Sequence, residues 1–307
     1  IAFDEQGHKK WEFTSEMDSA VYETGKQYWF KSAFPGIYGL YSGYFDNGKS
    51  RAFVGSACTL EILDENGQLV KRLPVFWSVI RQFLMTTAKD GSKNLLVGGW
   101  LNGFNQLVAI GGKEIEEVAR GYDEFPPGNS SIKGFAVMNR YDNFLTDLNH
   151  DGRQEVISAI NGSWNRVSIY SEDGKPLFNA QFGPGPSTPR STMRMMDVGD
   201  LLGDGKPEII VGIASGKIVV LNGQAQKLWA IALSSPPTVI KLVKDRDKNW
   251  VCIGSEDGTI VAMDGHGNIL KQGKVTGRPL DIQVLKEPNR VVVIIDDQGK
   301  INGFTLD

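Results

Sequence analysis

Residues 260–274 read IVAMDGHGNILKQGK: an apolar run, a turn carrying Asp264 and Gly267, and a second run. Alternation about a Gly-containing turn is the mark of a β-hairpin. The phrase recurs as IVVLNGQAQKLWAIAL from Ile218, LEILDENGQLVKRL from Leu60, VSIYSEDGKPLFNAQF from Val167 and IAFDEQGHKKWEF from Ile1. A degraded copy, LVAIGGKEIEEVA, starts at Leu107. Upstream of most copies lies a short apolar strand ending in small residues: RAFVGSA, NLLVGGW, EVISAI, EIIVGIAS and WVCIGS. Upstream again lies a third strand, such as SVIRQFLM or TVIKLV. No segment sustains a helical period.

Each unit therefore holds four strands, a to d, at a spacing of roughly 40–60 residues, the period of a radial β array. The expected fold is an all-β, β-propeller of four-stranded antiparallel blades. A β-sandwich would predict the strand spacing but not the repeated four-strand phrase. The last unit, VVVIIDDQGKINGFTLD, supplies a, b and c and stops before d, and Lys10–Phe13 offers the absent strand. Borrowing it would close the ring and remove an open sheet edge. Six blades are favoured. Seven is the alternative, because Ile1–Asp4 duplicates a c strand that the last unit already has. The chain reads as one domain over 1–307, either whole or a fragment of a larger protein.

Composition agrees. Glycine makes up 36 of 307 residues, about 12% against a usual 7% or so, which fits many turns. Lys+Arg number 33 and Asp+Glu 36, for a net charge of −3 and a pI near 5.8. No basic excess marks a nucleic-acid binder. Purely apolar runs such as Val291–Ile295 are far short of the ~20 residues of a membrane-spanning helix. The chain opens with Ile1 rather than Met, which reads as a processed or trimmed end. Cys58 and Cys252 fall inside apparent strands and read as small buried hydrophobes.

Two loops stand apart. Asp147–Glu155 reads DLNHDGRQE and runs into the strand VISAI; Asp200–Glu208 reads DLLGDGKPE and runs into IIVGIA. The first resembles the calcium loop of FG-GAP/VCBS-like propeller repeats, the integrin-α type, and the hairpin phrase resembles PQQ-like repeats. Independently of that likeness, Asp147, Asn149 and Asp151 place oxygens at alternate positions, with Gly152 at the bend and Glu155 beyond. Hard oxygen donors at that density suit calcium in a structural role. An ion-free, Asx-rich turn is the competing reading. The second loop, with Asp200, Asp204 and Glu208, is the weaker site because Leu202 stands where the first has Asn149.

Little else carries chemistry. His8, His150 and His266 fall in turns without a Ser or Cys partner, and no zinc, P-loop or dinucleotide motif is present. The d–a and b–c connections share the opposite rim. They contribute Trp29, Trp100, Asn102, Tyr122, Trp164 and Arg166, with Arg194 on a neighbouring a strand. Rings stack on flat apolar faces and amides meet hydroxyls, so such a surface suits a polysaccharide or protein ligand. Packing of the same aromatics into a satellite core is the plainer reading. Trp11 and Trp229, on d strands, read as inter-blade packing.

The expectation is a non-catalytic, calcium-supported, secreted propeller, extracellular or periplasmic, that binds a carbohydrate or protein on its aromatic loop face. The first rival is a polysaccharide lyase acting on an acidic glycan, with Arg81, Arg190, Arg194 and Lys241 as a basic funnel and Tyr122 or Tyr141 as base. The second is a protein-assembly scaffold.

Overall fold

The computed structural model describes all residues except 21, 24–35, 46–48, 88–90, 92, 101–105, 110–115, 121–142, 161–165, 173–174, 183–192, 245–247, 286–290 and 306–307. The described elements are almost wholly β. Strands β1 (Ala2–Phe3) and β2 (Lys9–Trp11) form a two-stranded sheet. A six-stranded sheet follows in chain order: β3 (Ile37–Phe45), β4 (Lys49–Leu63), β5 (Leu69–Thr87), β6 (Lys93–Trp100), β7 (Gln106–Ala109) and β8 (Glu116–Arg120). Three four-stranded sheets come next: β9 (Asn143–Thr146) to β12 (Pro176–Gln181) through β10 (Glu155–Ile160) and β11 (Arg166–Tyr170); β13 (Met193–Gly199), β14 (Glu208–Ile213), β15 (Lys217–Leu221) and β16 (Lys227–Ala232); and β17 (Pro237–Val243), β18 (Trp250–Ser255), β19 (Thr259–Asp264) and β20 (Ile269–Lys274). The last sheet has three strands, β21 (Pro279–Leu285), β22 (Val291–Asp296) and β23 (Ile301–Thr305).

Three sheets thus show the four-strand antiparallel phrase in sequential order. The six-stranded sheet is two phrases run together. Strand β4 pairs with β3 through residue 56 and with β5 from residue 57, and β5 turns from β4 to β6 at Val79. Register breaks at Ala57/Thr59 and Ile80/Gln82 mark the joints. The sequence predicts separate strands here. They run on because neither the b-to-c joint at residues 57–59 nor the d-to-a joint at residues 75–78 carries a glycine to break the strand.

Contacts divide the chain into two compact units. One holds Ile1–Leu145, Arg153–Ser158 and Ile169–Leu177; the other holds Thr146–Gly152, Ala159–Ser168 and Phe178–Asp307. In the first, Phe53, Leu60, Ile62, Ile80, Phe83, Leu95 and Val97 form the core, and Tyr41 stacks on Phe83 at 6.1 Å between ring centres. A side-chain clamp adds to it. The Gln82 amide accepts from Asn143 N (2.7 Å) and donates to Asn143 O (2.8 Å), mimicking a strand pairing.

In the second unit, β18 shows how the sheets stack. All six of its residues are buried. Val251 and Ile253 face Ile210, Ile218 and Val220, whereas Trp250 and Cys252 face Ile282, Val292 and Ile294. Successive residues point to opposite faces, so a strand covered on both reads as an unbroken apolar run. Burial pushes the Cys252 thiol up to about 12, which leaves it a protonated, unreactive packing group. Close approach explains one glycine. A Cβ on Gly254 would lie 2.7 Å from Pro279 Cβ, at the joint between β18 and β21.

Candidate functional site

The two acidic loops connect β9 to β10 and β13 to β14. Both fold the same way. Asp147 Oδ2 accepts from Gly152 N (2.9 Å), and Asp200 Oδ2 accepts from Gly205 N (3.0 Å). The other Asp147 oxygen accepts from Asp151 N (3.2 Å) and that of Asp200 from Gly203 N (2.7 Å). His150 and Gly203 occupy matching places with φ of 60° and 77°. A single aspartate thus closes each loop on its own backbone.

Asn149 and Leu202 mark where the loops part. Asn149 Oδ1 accepts a second bond from Asp151 N (2.9 Å), and its amide lies 3.4 Å from Asp151 Oδ2. The Leu202 side chain has no polar atom to offer. Glu155 and Glu208 open the following strands and are buried, at 4% and 3% exposure. Glu208 Oε2 accepts from Leu201 N (2.8 Å) and Leu202 N (3.1 Å). Burial pushes its carboxyl above the usual range, and the two N–H donors offset only part of that.

The chemistry of Asp147, Asn149, Asp151 and Glu155 fits a hard cation, since all are oxygen donors. Their described arrangement is a hydrogen-bonded turn. Among the described residues no three His, Cys, Asp or Glu side chains gather in a metal-holding group.

Each loop also does something its acidic residues did not foretell. Leu148 and Leu201 are buried, and their carbonyl oxygens press on glycines of the next sheet's c–d turn. A Cβ on Gly223 would stand 3.0 Å from Leu148 O, and one on Gly265 would stand 2.9 Å from Leu201 O. Asn249 Nδ2 donates to Asp200 O (2.5 Å), and the Trp229 indole donates to Gly265 O (2.8 Å). The loops are therefore wedges between sheets. The signal in the sequence is the pairing of Asp-Leu in each loop with Asn-Gly at 222–223 and Asp-Gly at 264–265.

Four of the described c–d turns share one design. In each, an Asx side chain accepts the N–H groups two and four residues on: Asp4 from Gln6 and His8, Asp64 from Asn66 and Gln68, Asn222 from Gln224 and Gln226, Asp264 from His266 and Asn268. Position four of the turn has positive φ at Gly7, Gly67 and Gly267, and at Ala225.

Of the rim residues, Trp29, Asn102, Tyr122 and Trp164 lie outside the described residues, as do Arg190 and Tyr141. The backbone of Trp100 ends β6, and its side chain lies outside them too. Arg166 opens β11 and is 2% exposed, inside the sheet packing. Arg194 on β13 is about one-third exposed and forms an ion pair with Glu256. Arg81 and Lys241 are exposed.

Comparison with known proteins agrees with this geometry. The FG-GAP-like repeat family matches residues 147–211, the span of both acidic loops. The lambda-carrageenase β-propeller domain family matches residues 191–278. No curated protein matches the chain. Among solved structures, BBS1N in complex with ARL6DN, soaked with mercury, aligns at 10% identity with a TM-score of 0.54, covering 84% of this chain and 75% of that one. The lead-soaked crystal of the same complex aligns at 10% identity and 0.56, covering 89% and 80%. The chain thus carries an FG-GAP-like repeat at 147–211 and has the four-stranded antiparallel sheets of a β-propeller fold.

Proposed function

We propose that the protein is a non-catalytic, secreted β-propeller that binds a macromolecular ligand, protein or carbohydrate, on its aromatic loop face. The observation that carries this reading is its likeness, over most of its length, to a propeller seen in complex with a protein partner. The carbohydrate form draws on the family match at 191–278, whose name is that of a carrageenase propeller domain. Trp29, Trp100, Asn102, Tyr122 and Trp164 are the contact residues in this reading, with Arg166 and Arg194 supporting them.

Calcium, in the same reading, is held by Asp147, Asn149, Asp151 and Glu155, with Asp200, Asp204 and Glu208 as a weaker second set. Its role is to tie the turn that carries Leu148 against the next sheet. A secreted setting would keep such a site supplied with the ion. The lyase alternative needs a free cationic funnel, and Arg194 is already engaged by Glu256.

The experiment is a size-exclusion run of the protein with acidic and neutral polysaccharides in calcium. Intact polymer that co-elutes supports a sugar-binding rim. Shortened polymer with unsaturated ends would overturn the non-catalytic reading. No shift directs the search to a protein ligand, by pull-down from native extract.

A further inference from the structure

The sheet of β21–β23 packs one face and leaves the other to solvent. Cross-strand partners share a face and successive residues alternate, so the strand registers sort the two. Ile282 and Val284 lie with Val292, Ile294 and Phe304 on the face packed against β17–β19. Leu285, Val291, Val293, Ile295 and Ile301 lie on the other. There Leu285 is 54% exposed, Ile295 38% and Ile301 73%, and Val291 and Val293 are half-buried.

The neighbouring sheet shows what such a face does. Val243 pairs with Trp250 as Leu285 pairs with Val291, so Trp250 and Cys252 hold the places of Val291 and Val293. Gly254 pairs with Ile260 as Ile295 pairs with Ile301. Trp250, Cys252 and Ile260 are buried beneath the sheet of β21–β23. Their counterparts are equally apolar and meet water instead. The matching strands β14 and β18 are buried at every residue, whereas only alternate residues of β22 are. A contiguous apolar strip open to water marks an interaction surface.

We propose that this face is the contact surface between two copies of the chain, packed sheet on sheet about a twofold axis. In the neighbouring sheet the equivalent face is covered by an apolar sheet face, and a second copy presents one of the same kind. An isologous contact also requires that the patch meet itself without opposing like charges. Among the described residues of this face, Asp281 is the one charged side chain. Its carboxylate is tied back by Ile282 N (2.8 Å) and Gln283 Nε2 (3.0 Å). A twofold axis through Val293 sets the two Asp281 carboxylates on opposite sides of it. The five apolar side chains make a small patch beside the ~800 Å² per partner of a standard interface, so the dimer forms reversibly, at micromolar concentrations and above.

The test is sedimentation velocity of the full chain across micromolar concentrations, with no ligand added. One chain weighs 33.8 kDa, and the wild type is expected to move toward twice that mass as concentration rises. Ile301→Lys and Leu285→Lys, at positions that already meet water, are each expected to weaken association at least tenfold. The melting temperature of the dilute protein should stay nearly constant in both. Leu270→Lys, an exposed position on β20, is the control and should associate as the wild type does. A wild type that keeps the mass of one chain at every concentration would overturn the proposal. So would a dimer that survives either substitution, or one that Leu270→Lys weakens equally. Assemblies that grow past two chains would overturn the twofold and point to head-to-tail stacking. Because no ligand is used, a failed dimer leaves the ligand reading standing, and a failed polysaccharide run leaves the dimer.

Discussion

Trp229 of β16 donates its indole N–H to the carbonyl oxygen of Gly265 at 2.8 Å, and its ring covers Gly267 in the same turn. The relationship is repeated far away in the chain. Trp11 of β2 donates to Glu65 O at 3.0 Å, and its ring lies where a Cβ on Gly67 would fall, 2.6 Å away. A d-strand tryptophan on one sheet thus seals the c–d turn of the next, with the indole satisfying a turn carbonyl.

Replacing Trp229 by Phe keeps most of the apolar cover and removes only the donor. The expected loss is about 1 kcal/mol, the net worth of one hydrogen bond. Gly267→Ala should cost more, because φ there is +83° and the new Cβ would meet the ring at 3.2 Å. Urea denaturation of the two variants checks the order. A larger loss for Trp229→Phe would show that the indole bond outweighs the close approach.

The sealing tryptophans were legible because each follows a turn phrase at a fixed distance, so the repeat itself places them on d strands. The acidic loops were legible as loops for the same reason. What the sequence hid is contact between units of the repeat. The seat of Leu201 on Gly265 depends on how far one sheet stands from the next, and no spacing within a loop encodes that distance. Arg166 shows the same limit, since a charged residue at a strand end reads as a rim group and yet is buried. The run-on of β4 and β5 is not legible because neither joint carries a glycine to punctuate it.

Ala225 occupies a glycine's place in its turn, with φ of +59°. A Cβ in the left-handed region costs roughly 1–2 kcal/mol, partly recovered by the lower entropy of alanine in the unfolded chain. Ala225→Gly is therefore expected to stabilise the protein by about 0.5–1 kcal/mol. A thermal melt that moves down instead would mean that packing of the Ala225 methyl, which is 7% exposed, outweighs the strain.

Acid should loosen the turns. His8 N–H is the main cause of a lowered carboxyl in Asp4. Burial pushes Asp264 up, but the Asn268 amide and the N–H groups of Asn268 and His266 outweigh it, and its carboxyl also sits below the usual range. Lowered folded values mean that these groups favour folding fully above about pH 4, the unfolded range. That support is lost as pH falls through the folded values. Glu208, raised by burial, has the opposite sign, and its drag on stability is complete only above its folded value. Asp264→Asn should flatten the melting-temperature profile below pH 4. Glu208→Gln, which keeps an oxygen for Leu201 N and Leu202 N, should not lower the melting point at pH 7. A steep acid limb that survives in Asp264→Asn would assign it to other carboxylates.

Calcium gives the sharpest separation between the two loops. If Asp147, Asn149, Asp151 and Glu155 hold the ion, binding to the folded state alone adds about 2.7 kcal/mol at a hundredfold excess over Kd. Melting should then rise by several degrees in millimolar calcium and not in equal magnesium, which demands a tighter octahedral shell. Asp151→Asn removes one charged donor while leaving the Asp147 bond to Gly152 N intact. It is expected to abolish the calcium shift with little change in calcium-free stability. Asp204→Asn is the control, since Leu202 deprives that loop of a middle donor, and most of the shift should remain. A wild-type melt indifferent to calcium would make both loops self-sufficient turns, whose work is to seat Leu148 and Leu201 on Gly223 and Gly265.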